Sequence, residues 1–132
     1  MDFAYPWTAL VTLLCVLMIF WFGTQVAGRR GVHDISAPET SGHPEFERYF
    51  RAHYNTLEQF ALFLPSLWLF AVLVGDQWAG LAGAVWIVGR LMFAVGYWQA
   101  PEKRLPGLGI SLIPLFITSI GALVFLIRSL VI

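Results

Sequence analysis

Charged side chains are scarce in this chain: eight Lys or Arg and eight Asp or Glu among 132 residues, with a formal net charge of zero. No basic stripe is available to neutralise a phosphate backbone, which excludes a nucleic-acid partner. Cys15 is the only cysteine, so an internal disulfide and a cysteine-based metal site are both excluded. It lies among Leu and Val in a long apolar run, where a small buried residue is expected rather than a reactive thiol. Internal repeats and low-complexity tracts are missing too. His33 and His43 read as loop residues with no evident partner, so neither a Ser, Cys and His constellation nor a metal site is expected.

What fills the chain instead is apolar: 58% hydrophobic residues and a mean hydropathy of +0.72, concentrated in long runs. A soluble domain is nearer half apolar and a quarter charged. About 20 apolar residues carry a helix across the hydrocarbon core. Four segments qualify: Phe3 to Val26, about Thr56 to Val74, Trp78 to Ala100 with Arg90 inside it, and Leu108 to Ile132. Asp2 stands where a signal peptide has its basic start, and the first run is too long for one, so it is expected to remain as a span. The links are short, Gly75–Gln77 between the second and third spans and Pro101–Gly107 between the third and fourth. Short links make antiparallel neighbours. The expectation is an all-α integral membrane protein, an up-down bundle of four transmembrane helices. One domain would cover 1–132, with helices at about 3–30, 44–74, 77–100 and 106–131. Gly28–Pro44, rich in Gly, Ser, Thr, His and Pro, is the one substantial loop expected.

Sidedness follows from the basic residues. The first and third links share a side and hold Arg29, Arg30, Arg48, Arg51, Lys103 and Arg104, whereas the other side has Asp2, Asp76 and Arg128. The positive-inside rule then puts the charged links in the cytoplasm and both termini on the opposite face of a multi-pass protein.

The stretch FERYFRAHYNTLEQF, Phe46 to Phe60, runs into the second span with no helix breaker. At about 100° per residue, Arg51, Asn55 and Glu58 fall within about 60° of one another, and His53 points the opposite way. On the third helix Arg90 and Tyr97 are seven residues apart, with Arg104 a further seven along, so all three are nearly in line with Phe93 beside them. Glu58 and Arg90 both lie on the order of 15 Å inside the boundary and are expected to form an intramembrane ion pair, with Arg48 paired to Glu45 or Glu47 nearer water. One Glu cannot neutralise Arg51, Arg90 and Arg104 together. The leftover charge points to an anionic guest at the membrane border, since a guanidinium fork matches a carboxylate. Asn55 suits a peptide-like amide and Tyr97 a hydroxyl contact.

These residues, Phe46-Glu47-Arg48, Arg51-Ala52-His53, Asn55 and Glu58, then Gly89-Arg90, Gly96-Tyr97 and Arg104, resemble the pattern of the MAPEG superfamily, the membrane-associated proteins in eicosanoid and glutathione metabolism. The resemblance covers about Val11 to Arg104 and is nearest the branch of the leukotriene-C-forming synthases and microsomal glutathione transferases. It implies a homotrimer binding glutathione between neighbouring subunits. Arg51, Asn55, Glu58, Tyr97 and Arg104 match glutathione-contacting positions, and Arg30 and His53 match positions reaching the ligand from the adjacent subunit. Three positions depart from the pattern: Gly31 replaces a second arginine of the leukotriene-forming members, Phe93 a Tyr or His, and Gln59 a Tyr.

The chemistry so implied is attack by the glutathione thiolate, with glutathione as co-substrate, on a lipophilic electrophile held among the membrane lipids, a detoxifying transferase or peroxidase reaction. Arg104 is the expected thiolate-stabilising residue and Arg30 of a neighbour the second. The alternative is a non-catalytic lipid- or partner-binding member of the superfamily. Retention of Arg51, Asn55, Glu58, Tyr97 and Arg104 favours the enzyme. A small transporter would show substrate-dependent flux, and no inverted repeat supports one.

Overall fold

The computed structural model describes residues 2–132. Four long helices run up and down: α1 Pro6–His33, α2 Pro44–Leu73, α3 Asp76–Gln99 and α4 Leu105–Val131, with a 3-10 turn at Pro101–Arg104 leading into α4. Each is long and apolar enough to cross a membrane. Pro6 and Pro44 open the first turns of α1 and α2, where a missing N–H costs nothing, and the ring of His43 caps α2 by accepting from the Glu45 N–H at 3.1 Å. At the other end of the bundle Asp76 serves two helices at once. It opens α3, and its carboxylate accepts from the backbone N–H groups of Trp7 and Thr8 at 3.1 and 2.9 Å and from the Thr8 hydroxyl at 2.8 Å. The first turn of α1 has no cap of its own and takes one from α3.

α1 continues past the Gly28–Gly31 stretch that reads as loop and stops at His33, where Asp34 takes the left-handed conformation with φ 55°. That extra turn gives both expected loop histidines partners. His33 donates from Nε2 to Glu45 at 2.9 Å, and its ring stacks on His43 with centroids 3.7 Å apart. Arg29 joins the same carboxylate at 3.3 Å, so Glu45 closes the α1–α2 loop. Arg48 is not on Glu45 or Glu47; its Nε donates to the Trp98 carbonyl at 3.3 Å.

The polarity of the bundle is that of a protein in lipid. Leu13, Leu17, Phe20, Leu62, Leu126 and Leu130 face outward, while Arg90, Thr56, Gln59 and Ser111 are buried among Phe63, Leu67, Trp86 and Phe93. Cys15 is fully buried. Among the described residues no buried side-chain nitrogen or oxygen is left without a partner, as a low-dielectric interior demands. Helices α3 and α4 touch backbone to backbone: a Cβ on Gly107 would fall 2.1 Å from the Phe93 nitrogen, and one on Gly89 would fall 2.6 Å from the Ser111 nitrogen. This close approach sets Arg104, Leu108 and Ser111 beside Tyr97, Phe93 and Arg90.

Candidate functional site

A cavity of about 180 Å³ opens at the end of the bundle that carries the α1–α2 loop and the 3-10 turn. It is lined by Arg51, Tyr54, Asn55 and Glu58 of α2, Phe93 and Tyr97 of α3, Arg104, and Leu108 of α4. Larger depressions exist, but their walls are almost wholly apolar and face outward, as between α1 and α3 at Trp7, Leu10 and Gly80. The charge lies in the smaller one.

Its α2 wall is the polar stripe. Residues 51, 54, 55 and 58 are spaced i, i+3, i+4 and i+7, a single helix face. Tyr54 completes that pattern and sequence reasoning passed over it, although the spacing alone would have found it. Arg104, the residue just before α4, donates from Nη1 to the Pro101 carbonyl at 2.6 Å and lies over the Tyr97 ring at 5.2 Å. The turn thus fixes a guanidinium at the cavity rim while leaving donors free.

The expected Glu58–Arg90 ion pair is not formed. Among the described residues the only carboxylate within 4.0 Å of a cation is Glu45. Arg90 is fully buried and surrounded by neutral acceptors. Its Nη2 donates to Asn55 Oδ1 at 2.7 Å and Thr56 Oγ1 at 2.8 Å, its Nε to Thr56 at 3.2 Å, and its Nη1 to Ser111 Oγ at 3.3 Å. Its guanidinium lies over the Phe93 ring at 4.0 Å. The reason is rotational. Thr56 and Glu58 are about 160° apart around α2, so a side chain buried against Thr56 cannot also meet a carboxylate facing the cavity. Thr56 and Ser111 were not anticipated: a hydroxyl in an apolar helix carries no signal beyond that of any small residue.

Two of the expected site residues lie elsewhere in the single chain. Arg30 donates to the Glu39 carbonyl at 2.7 Å and covers the Phe46 ring at 4.9 Å. His53 sits on the far side of α2 against Gly23, in a shallow apolar groove with Val16, Ile19 and Phe20. Gln59 is likewise not in the cavity; its carbonyl accepts from the buried Trp86 indole at 3.1 Å.

A helical chain with four spans and one charged notch is matched by the model of the MAPEG family over residues 8–124. The chain belongs to the MAPEG family. This MAPEG protein is 40% identical over 124 residues to an uncharacterized protein of Synechocystis, covering 94% of this chain and 90% of that one. It is 35% identical over 116 residues to microsomal glutathione S-transferase 2 of Homo sapiens, covering 87% and 79% of the two chains. Similarity to leukotriene C4 synthase of Cavia porcellus reaches 43% over 97 residues, 74% of this chain but only 65% of the synthase. It is an integral membrane protein of four spanning helices.

Proposed function

We propose that this MAPEG protein is a membrane-bound glutathione transferase, joining the glutathione thiolate to lipophilic electrophiles that reach it from the bilayer. The observation carrying the reading is the gathering of Arg51, Asn55, Glu58, Tyr97 and Arg104, from three segments of sequence, around one cavity in an otherwise apolar bundle. Glutathione S-transferase and leukotriene C4 synthase among its relatives support it.

Charge favours the thiolate. Arg51 and Arg104 at the cavity and Arg90 behind it, against Glu58 alone, leave two positive charges. Glutathione as a thiol, with two carboxylates and one ammonium, carries one negative charge; as a thiolate it carries two. The ionised form therefore balances this chain's share of the site, and a neighbour's Arg30 adds to the same preference. A free thiol has a pKa of about 8.5, and each unit by which a guanidinium lowers it stabilises the anion by about 1.4 kcal/mol relative to the thiol. Arg104 is assigned that role, with Glu58 holding the ammonium and Arg51 a carboxylate. The thiolate sulfur attacks the electrophilic carbon, forming the C–S bond as that carbon's own bond to its leaving group or π system gives up its electron pair.

A cavity of about 180 Å³ is smaller than the roughly 300–1,000 Å³ of a complete ligand pocket. The reading therefore includes a homotrimer in which a neighbour completes the site with its Arg30 and His53, near the cytoplasmic face. Isothermal titration of detergent-purified protein with reduced glutathione, followed by ultraviolet thiolate absorbance at neutral pH, tests the reading. Micromolar to millimolar binding with a thiolate band is expected; no binding would leave the non-catalytic alternative. Native mass spectrometry should show trimers, and monomers alone at micromolar protein would refute the assembly.

A further inference from the structure

The buried guanidinium of Arg90 has no place in the chemistry above beyond its charge, yet it is the most elaborately held side chain in the protein. Three helices contribute to it: α3 carries it, α2 supplies Asn55 and Thr56, and α4 supplies Ser111. Each hydroxyl gives its own proton to its helix, Thr56 to the Ala52 carbonyl at 2.8 Å and Ser111 to the Leu108 carbonyl at 2.9 Å. Their lone pairs are thereby turned toward Arg90. Asn55 differs from both, because it touches Arg90 and also lines the cavity.

A guanidinium has only donors, so the Asn55 group facing it must be the carbonyl oxygen. That fixes the other end of the amide. Around α2, Asn55 stands between Thr56 on the core side and Glu58 on the cavity side, about 100° from the first and 60° from the second. With Oδ1 anchored inward at 2.7 Å, the Nδ2 hydrogens are turned away from Arg90. A cation bound to an amide oxygen also draws electron density from its nitrogen and makes its hydrogens stronger donors. Among the described residues no carboxylate lies within 4.0 Å of Arg90, so its charge has no nearer recipient.

We propose that Arg90 is a positioning residue: it holds the Asn55 amide with its N–H donors toward the cavity, so that this part of the site accepts only a ligand oxygen acceptor. The ligand group recognised there is a carboxylate or peptide carbonyl, and a donor at the same place is rejected. Arg90 never touches the ligand. This inference rests on the glutathione reading for the identity of that ligand, but not for the orientation of Asn55.

The proposal separates from a merely structural role in four measurements. Arg90→Lys keeps the charge and loses the fork that spans Asn55, Thr56 and Ser111; the KM for glutathione should rise about tenfold, with kcat within about twofold, as for one hydrogen bond to a charged group. The double variant with Asn55→Ala should bind no more weakly than Asn55→Ala alone, whereas losses that multiply would overturn the proposal. Should Arg90→Lys fail to fold, Asn55→Asp decides. It gives Arg90 a better acceptor but offers the cavity no donor, so ligand-free protein should melt no lower than wild type while glutathione affinity falls at least about tenfold; undiminished affinity would overturn the proposal. In ligand-free protein, the Asn55 side-chain amide should give a slowly exchanging NMR pair, identified by its loss in Asn55→Ala and made mobile by Arg90→Lys or, where that variant does not fold, by Ser111→Ala with Thr56→Val. If wild type binds no glutathione, the transferase reading fails and this NMR pair still decides the proposal. A pair indifferent to those changes sinks it.

Discussion

Replacing Gly107 by Ala adds one methyl group at the point where α4 lies against α3, and the structure says what it meets. The new Cβ would stand 2.1 Å from the Phe93 nitrogen, 2.6 Å from the Phe93 Cα and 2.6 Å from the Gly89 oxygen. All three are backbone atoms, so no rotamer change can relieve the clash. Ordinary contact begins at 3.4 Å, so the helices must separate by about 1.3 Å at this level. Overpacking of this kind costs about 1–3 kcal/mol, offset by at most about 1 kcal/mol of better helix propensity. Function should suffer more than stability. Arg104 and Leu108, three residues before and one after, move with α4, while Tyr97 and Phe93 stay on α3. A 1 Å misplacement can cost about 10²-fold in rate. The control is two residues away: a Cβ on Gly109 meets nothing within 4 Å, so Gly109→Ala should be neutral or stabilising by up to about 1 kcal/mol. Thermal denaturation in one detergent, glutathione titration and turnover of a model electrophile would be compared for the two variants. If Gly107→Ala matches Gly109→Ala in all three, the backbone contact does not position the site.

Glu58→Gln should leave ligand-free stability within about 0.5 kcal/mol of wild type, because Glu58 faces the cavity and neutralises no buried cation, while glutathione affinity falls; a large loss of melting temperature without ligand would restore the ion pair with Arg90. Asp76→Ala removes three hydrogen bonds from the start of α1 and should destabilise by about 1–3 kcal/mol, with amide exchange accelerated first at Trp7 and Thr8 and the distant cavity unaffected. Arg104→Ala should abolish thiolate absorbance at neutral pH while Arg51 and Asn55 still hold some glutathione, and Arg104→Lys should retain part of the signal as a point charge without the fork. An Arg104→Ala protein with full absorbance and turnover would move the role to Arg30 or to no arginine.

Two kinds of information were legible in the sequence, and they differ in cost. The spans were visible because crossing hydrocarbon takes length and apolarity, which composition records directly. The α2 wall was visible because Arg51, Asn55 and Glu58 are too costly in lipid to be there by chance, and helical spacing put them on one face. What misled was charge complementarity. With Glu58 the one carboxylate at its depth, pairing it to Arg90 was the natural expectation, and it ignored which way α2 is rotated. The rotation puts Thr56 inward and Glu58 outward, and Arg90 takes the hydroxyl. Thr56 and Ser111 left no trace because each satisfies itself on its own helix, at Ala52 and Leu108, and so costs nothing wherever it stands. The same holds at the other ends of the chain's polar contacts. Glu45 gathers Arg29 and His33 only because α1 continues through Gly28 and Gly31 to His33, a stretch whose glycines signal an end that packing overrides. A buried arginine in a membrane bundle is thus better predicted by counting the neutral oxygens that the neighbouring helices can turn toward it than by seeking its opposite charge. Arg90, held by four hydrogen bonds to three such residues, is the case that argues it.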